Sequence, residues 1–232
     1  MVPRALEPTG VALVDKPAGP SSFAVVAQIR RVTGARTGHA GTLDPFATGL
    51  LVVLSGKATS IASCLVGLDK RYVTDVDLTA RTTTGDPEGE VIARSPAPDA
   101  AELERRVAGL RGEVELPIPA ASAVKIGGER AYRLARKGVE VEMPLRRSTV
   151  YALDVIAYTG EVVTLDLRVS SGTYVRAIAD ALGGHCRTLR RTEVGPFSVA
   201  EAVTPDAFEP TVLLPADDVL ARIEAARSVP AP

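Results

Sequence analysis

Residues 162–169, VVTLDLRV, alternate strictly in character. Val163, Leu165, Leu167 and Val169 take one parity, and Val162, Thr164, Asp166 and Arg168 take the other. A period of two belongs to a strand with one buried face; a helix, with its period of 3.6, cannot satisfy it. Residues 71–79 repeat the device, with Tyr72, Thr74, Val76 and Leu78 opposed to Val73, Asp75, Asp77 and Thr79. Strands of this kind need a sheet with its apolar face covered. The intervening segments show no regular βαβ rhythm. The expected class is α+β, with a mixed and largely antiparallel sheet.

The remaining punctuation supports that class. GVALVDKP at 10–17 reads as a short strand ended by Pro17. Ser21 or Ser22 can cap a helix over about 23–33, with Val25, Ile29 and Val32 on one face and Gly34 closing it. The run 50–54 reads as a buried strand, VIAR as a short one, and 148–156 as another. Asp99 with Glu102 resembles a capping box for a helix through Leu103, Val107 and Leu110. LPIPAASAVKIGG (116–128) reads as an extended proline-rich segment, and ERAYRLARKG as a short helix ended by Gly138. SSGTYVRAIADALGG reads as a turn and a capped helix from about Thr173. Residues 1–215 are expected to form one domain, and 216–232 at most a helix and tail.

Composition excludes several classes. No stretch reaches the apolar length of a membrane span, and MVPRALEPTG lacks the features of a signal peptide. Cys64 and Cys186, with two histidines, give neither a disulfide framework nor a zinc spacing. A reduced cytoplasmic protein without a structural metal is expected. Net charge is −1, from 27 Lys and Arg against 28 Asp and Glu. The charges are segregated, however. Arg30, Arg31 and Arg36 cluster, as do Arg146 with Arg147, and Arg187 with Arg190 and Arg191. Arg130, Arg133, Arg136 and Lys137 fall at helical spacing and could track an RNA backbone as one stripe. Such a pattern makes a basic face on a neutral protein, or else an ordinary solvated surface.

GHAGTLDPFATGLLVVLSGKAT (38–59) carries the chemistry. SGKATS fails as a phosphate loop, because Gly49 is too far from Gly56 and Ala58 stands where a hydroxyl is needed. Pro45 biases Asp44 away from helical angles, and Gly38, Gly41 and Gly49 let the loop fold tightly beside the next strand. Such a loop either aims a catalytic carboxylate or merely makes an Asx-turn. Arg176, in the first turn of its helix, faces the positive dipole end and calls for an anion: Asp44, Asp166 or a phosphate. Tyr72 and Tyr174 each read as a core tyrosine or as a stacking platform for a base. His39 has no base-relay partner in sequence and reads as a positioning or RNA-contacting residue.

Six segments in order then resemble the TruB family of tRNA pseudouridine synthases: VALVDKPAGPSSFAVVAQIRR, GHAGTLDPFATGLLVVLSGKAT, KRYVTDVDLTARTTTGDPEGEV, ASAVKIGGERAYRLARKG, SSGTYVRAIADALG and LRRTEVGPFSVAEAV. The resemblance runs from about residue 10 to about residue 215. It implies the pseudouridine synthase fold with a central catalytic cleft, and conversion of uridine 55 in the tRNA T arm to pseudouridine without cofactor or metal by a monomeric protein. It places the nucleophile on Asp44, the active-site tyrosine on Tyr72 and the aspartate-pairing arginine on Arg176. It places substrate contacts on His39, Tyr174 and Leu189. The rival reading is a tRNA-binding or tRNA-folding protein whose catalysis is secondary or lost. Three departures stand out: no room for the family's C-terminal RNA-binding domain, a shortened LGGHCRTL connection before Leu189, and Ser60 where a lysine is common.

Overall fold

The computed structural model describes residues 7–122, 124–131, 133, 139 and 142–228. In chain order, the first elements are β1 (Gly10–Lys16), α1 (Ser22–Thr33), β2 (Thr37–His39), β3 (Thr48–Ser55), α2 (Ala62–Val66) and β4 (Lys70–Asp77). Then come β5 (Ala80–Thr82), β6 (Val91–Arg94), α3 (Ala100–Ala108), β7 (Gly112–Pro117), β8 (Lys125–Ile126) and β9 (Glu129–Arg130). The last are β10 (Leu145–Tyr158), β11 (Val162–Val169), α4 (Val175–Ala181), β12 (His185–Val194), β13 (Phe197–Ser198) and α5 (Ala216–Arg227). Two compact units result, one from residues up to Tyr72 together with Arg190 onward, the other from Val73–Leu189. Strands β4 and β12 pass from one unit into the other.

In the first unit β3 is the organising strand. Its apolar run is buried on both faces, as Leu50 to Leu54 require. β1 pairs with it antiparallel from Gly10↔Ser55 to Lys16↔Gly49. Its other edge is shared: β2 pairs antiparallel near Ser55, and β12 pairs parallel at Arg190↔Thr48 and Arg191↔Gly49. Val11, Leu13, Leu50, Val52 and Leu54 join Leu65, Phe197, Val219 and Ile223 in one core. Bridges Val11↔Leu214 and Val14↔Val203 cover the outer edge of β1. Ser21 caps α1 by accepting from the Ala24 N–H, and Gly34 closes it in the left-handed region. The buried stripe is Ser22, Val25, Val26, Ile29 and Thr33. Val32, expected on that face, is 51% exposed, because the helix meets β2 and β3 one position further round.

In the second unit β10 and β11 form an antiparallel hairpin, with β7 on the free edge of β10 and β4 beside β11. Val163, Leu165, Leu167 and Val169 point into the core, as their parity requires. α3 adds Leu103 and Val107 from over β10. Its N-cap Asp99 accepts from the Glu102 N–H at 2.8 Å. α4 begins at Val175 rather than Thr173, and its N-cap, Tyr174, makes no side-chain cap. Arg130 lies in the two-residue strand β9 rather than in a helix, because Gly127 and Gly128 turn the chain into a hairpin ahead of it. Ala131 and Arg133 are helical, whereas Arg136 and Lys137 lie outside the described residues. Among the described residues no helix is long and apolar enough to cross a membrane, and no cluster of His, Cys, Asp and Glu could hold a metal.

Candidate active site

Asp44 sits in a loop that two buried cations hold by its backbone. Lys16 ends β1 fully buried and donates to the carbonyls of Pro17 at 2.8 Å, Pro45 at 3.1 Å and Ala47 at 2.7 Å. Arg191, 1% exposed on β12, donates from Nε to Leu50 O at 2.7 Å and from a terminal nitrogen to Gly41 O at 3.0 Å. Its other terminal nitrogen reaches Thr42 O at 3.5 Å. Carbonyls on both sides of Asp44 are therefore tied to positive charge. Ser22 adds a reciprocal pair, its hydroxyl donating to Leu43 O and accepting from Leu43 N–H, both at 2.8 Å. Gly19 N–H donates to Pro45 O at 2.9 Å, and Ala47 N–H donates to Asp44 O at 3.2 Å. Gly49 has φ +101, and a Cβ there would stand 2.2 Å from Arg191 O. Only glycine allows β12 to come that close.

The buried cations do more than brace the loop. Their charge also raises the potential around the loop. An ionised carboxylate aimed by a rigid loop is a competent nucleophile at neutral pH. The potential also acts on neighbours. His39 closes β2 rather than lying in the loop. Burial, and secondarily the charge of Arg191, push its pKa below the ordinary 6.5. Its buried Nδ1 has no hydrogen-bond partner among the described residues. Lys70, at the start of β4, is held to a pKa of about 8 by burial and then by Arg191. It donates to Val66 O and Leu68 O, each at 2.5 Å, closing the end of α2. Two residues on, Tyr72 is 8% exposed on the inward parity of the strand.

The second unit holds the other candidates. Arg176 is 3% exposed in the first turn of α4. It donates to Thr84 O at 2.6 Å and Ala121 O at 2.9 Å, and within this unit its carboxylate neighbour is Asp86, at 3.4 Å. Asp86 accepts from the Thr84 hydroxyl at 2.6 Å and the Glu88 N–H at 3.0 Å. The turn 84–86 is thus shaped around the arginine, with Gly85 at φ +71. Tyr174 borders a shallow depression with Leu116, Pro117, Arg146, Ser148 and Thr173. Leu189 is buried on β12.

Lys16, Arg191, Ser22 and Asp86 are the site residues that sequence reasoning passes over. Lys16 had one signal, a cation continuing a strand whose every other position is apolar or paired. Arg191 had none, since in LRRTEV it reads as surface. It is a correction to the basic cluster expected there: Arg191 is buried against carbonyls, and Arg190 pairs with Asp15 at 2.7 Å.

Comparison with known proteins bears on this arrangement. The model of the TruB family pseudouridylate synthase (N terminal domain) matches residues 30–175. The tRNA pseudouridine synthase B of Thermobifida fusca (strain YX) is 46% identical over 231 residues, 91% of this chain and 79% of that protein. The protein of the same name from Leifsonia xyli subsp. xyli (strain CTCB07) is 44% identical over 227 residues, 90% of this chain and 75% of its own. Among solved structures, one chain of a Cbf5-Nop10-Gar1 complex is 27% identical with a TM-score of 0.70. That match covers 92% of this chain but only 62% of the other. The likeness of the backbone agrees with the α+β sheets described above. With more than half its length matched by the family model and relatives above 40% identity, the chain belongs to the TruB family of pseudouridylate synthases.

Proposed function

We propose that this chain converts uridine 55 in the T arm of tRNA to pseudouridine, with Asp44 as the nucleophile. The observation that carries the reading is the double cationic brace of Lys16 and Arg191 on the carbonyls of the Asp44 loop. A loop serving only as a turn has no need of two buried cations, each of which is expensive to desolvate. The relatives named for action on tRNA supply the substrate class.

The reaction is an isomerisation and balances within one nucleotide. The N1–C1′ bond breaks, the uracil turns, and C5 bonds to the same carbon. The C5 proton leaves to solvent, and N1 takes one up. The base must first be flipped from its stack, at a cost of a few kcal/mol. In this reading Tyr72 is its stacking platform and Arg176 the cation that keeps Asp44 ionised. His39, Tyr174 and Leu189 contact the flipped nucleotide, and the charge of Arg130, Arg133, Arg136 and Lys137 supports a role as backbone contacts. The carboxylate attacks C1′ or C6, or assists another route to cleavage.

Tritium release from tRNA bearing 5-tritiated uridine tests this directly. Wild-type protein releases tritium, whereas Asp44→Asn folds, binds tRNA and releases none, because an amide is not a competent nucleophile. Turnover by Asp44→Asn at even a tenth of the wild-type rate would return Asp44 to a turn residue.

A further inference from the structure

Four exposed cations lie on adjoining segments of the first unit, outside the Asp44 loop. α1 ends at Gly34, whose N–H donates to Arg30 O at 2.9 Å, and the chain turns at once into β2. The carbonyl of Arg36 then accepts from Gly56 N–H at 2.8 Å, and Lys57 follows. Arg30, Arg31, Arg36 and Lys57 are all exposed. Among the described residues no carboxylate lies within ion-pair distance of any of them. Three other cations of the same unit are neutralised: Arg71 by Glu193, Arg190 by Asp15 and Arg222 by Glu201. The helix dipole accounts for Arg30 and Arg31 in the last turn of α1, but not for Arg36 or Lys57, which lie beyond it. Like charges on adjoining segments without a counter-ion repel one another, so these segments suit an anion supplied from outside.

We infer that Arg30, Arg31, Arg36 and Lys57 form a phosphate-binding surface on which the RNA substrate docks before its uridine reaches the Asp44 loop. The inference rests on the proposed RNA reaction. Its placement follows from β2, which begins one residue after Arg36 and ends at His39. Three residues of strand span about 10 Å, the length of a few stacked nucleotides at about 3.4 Å each. A strand that presents a base to His39 therefore brings neighbouring phosphates within reach of long Arg and Lys side chains.

The test compares Arg31→Ala/Arg36→Ala/Lys57→Ala, which leaves Arg30 at the helix end, with a control, Arg94→Ala/Arg105→Ala/Arg227→Ala, that removes three exposed cations elsewhere. Binding of a T-arm RNA is measured against salt concentration. Neutralised phosphates contribute about 0.7–0.9 each to the slope of log K against log salt, so the patch variant loses roughly 2 units and the control almost none. KM for tritium release rises in step. A slope change below about half a unit, or an equal change in the control, overturns the surface. Wild-type tritium release keeps the two proposals apart. A patch variant with a lowered slope beside an inactive wild type leaves the surface standing and removes the reaction.

Discussion

Arg191 separates geometry from charge at the Asp44 loop. Its two shorter bonds, at 2.7 and 3.0 Å, hold Leu50 O and Gly41 O from one buried guanidinium. Arg191→Met keeps the bulk but strands two buried carbonyls, at about 1–3 kcal/mol each. The variant no longer buries a cation, which returns part of that loss. A net destabilisation of about 3 kcal/mol corresponds to roughly 6–12 °C in Tm for a chain of this size. Arg191→Lys keeps the charge, but a point ammonium cannot reproduce the planar fork, so the loop shifts. A displacement of about 1 Å is enough to cost roughly 100-fold in rate. Arg191→Lys should therefore melt cooperatively, lose about 100-fold in kcat and keep KM within about threefold. The charge is read separately at His39, which is assignable by NMR because the chain has two histidines. The His39 pKa should stay below 6.5 in Arg191→Lys and rise toward it in Arg191→Met. Turnover by Arg191→Lys within about threefold of wild type would show that the brace does not aim the nucleophile. Identical His39 titration in the Met variant and the wild type would remove the electrostatic half of the argument.

Other consequences are as direct. Tyr72→Phe keeps the stacking surface and should retain substantial activity if the ring is only a platform, while Tyr72→Ala should be nearly dead; equal rates for Ala and wild type would take Tyr72 out of the site. Lys70 has a folded pKa of about 8 against an ordinary 10.5, so between those values the unfolded chain binds more protons and stability rises with pH. Measured by urea midpoints, wild type should gain roughly 2–3 kcal/mol on Lys70→Met from about pH 7 to about pH 10, and a flat difference would mean the lysine is not held below its usual range. Gly49→Ala puts a Cβ 2.2 Å from Arg191 O at φ +101 and should lower Tm by more than about 8 °C; a shift under about 2 °C would refute the close approach of β12 to β3.

Much of this was legible along the chain. The parity of 162–169 and 71–79 fixes which residues face inward, and the structure follows it residue by residue. Local signals of capping and turn chemistry place Ser21 and Gly34. What local signals cannot show is which polar groups meet across the fold. Arg191 is buried because carbonyls 141 to 150 positions away need a donor. Asp86 meets Arg176 from a distant part of the chain, and no spacing rule points to it. Arg130 illustrates the opposite failure: helical spacing from 130 to 137 is real, but two glycines ahead of it turn the chain into a hairpin first. Val32 is a smaller miss, a helix face read one residue off because Val32 and Thr33 differ in hydropathy but not in where the helix is covered.

The division of the chain at Tyr72 and Arg190 has a bearing on how the protein is made. The second unit is contiguous in sequence and can close as it leaves the ribosome. The first is interrupted, and β3 waits for its parallel partner in β12 until more than 130 further residues have been added. The Asp44 loop is translated early but receives Arg191 late. Contacts of such long sequence separation form slowly, and the open edge of β3 is exposed to wrong pairing in the meantime. A nascent chain stalled before Arg191 would therefore carry the Asp44 loop without its brace, and the loop would gain its final shape only as the last fifth of the sequence emerged.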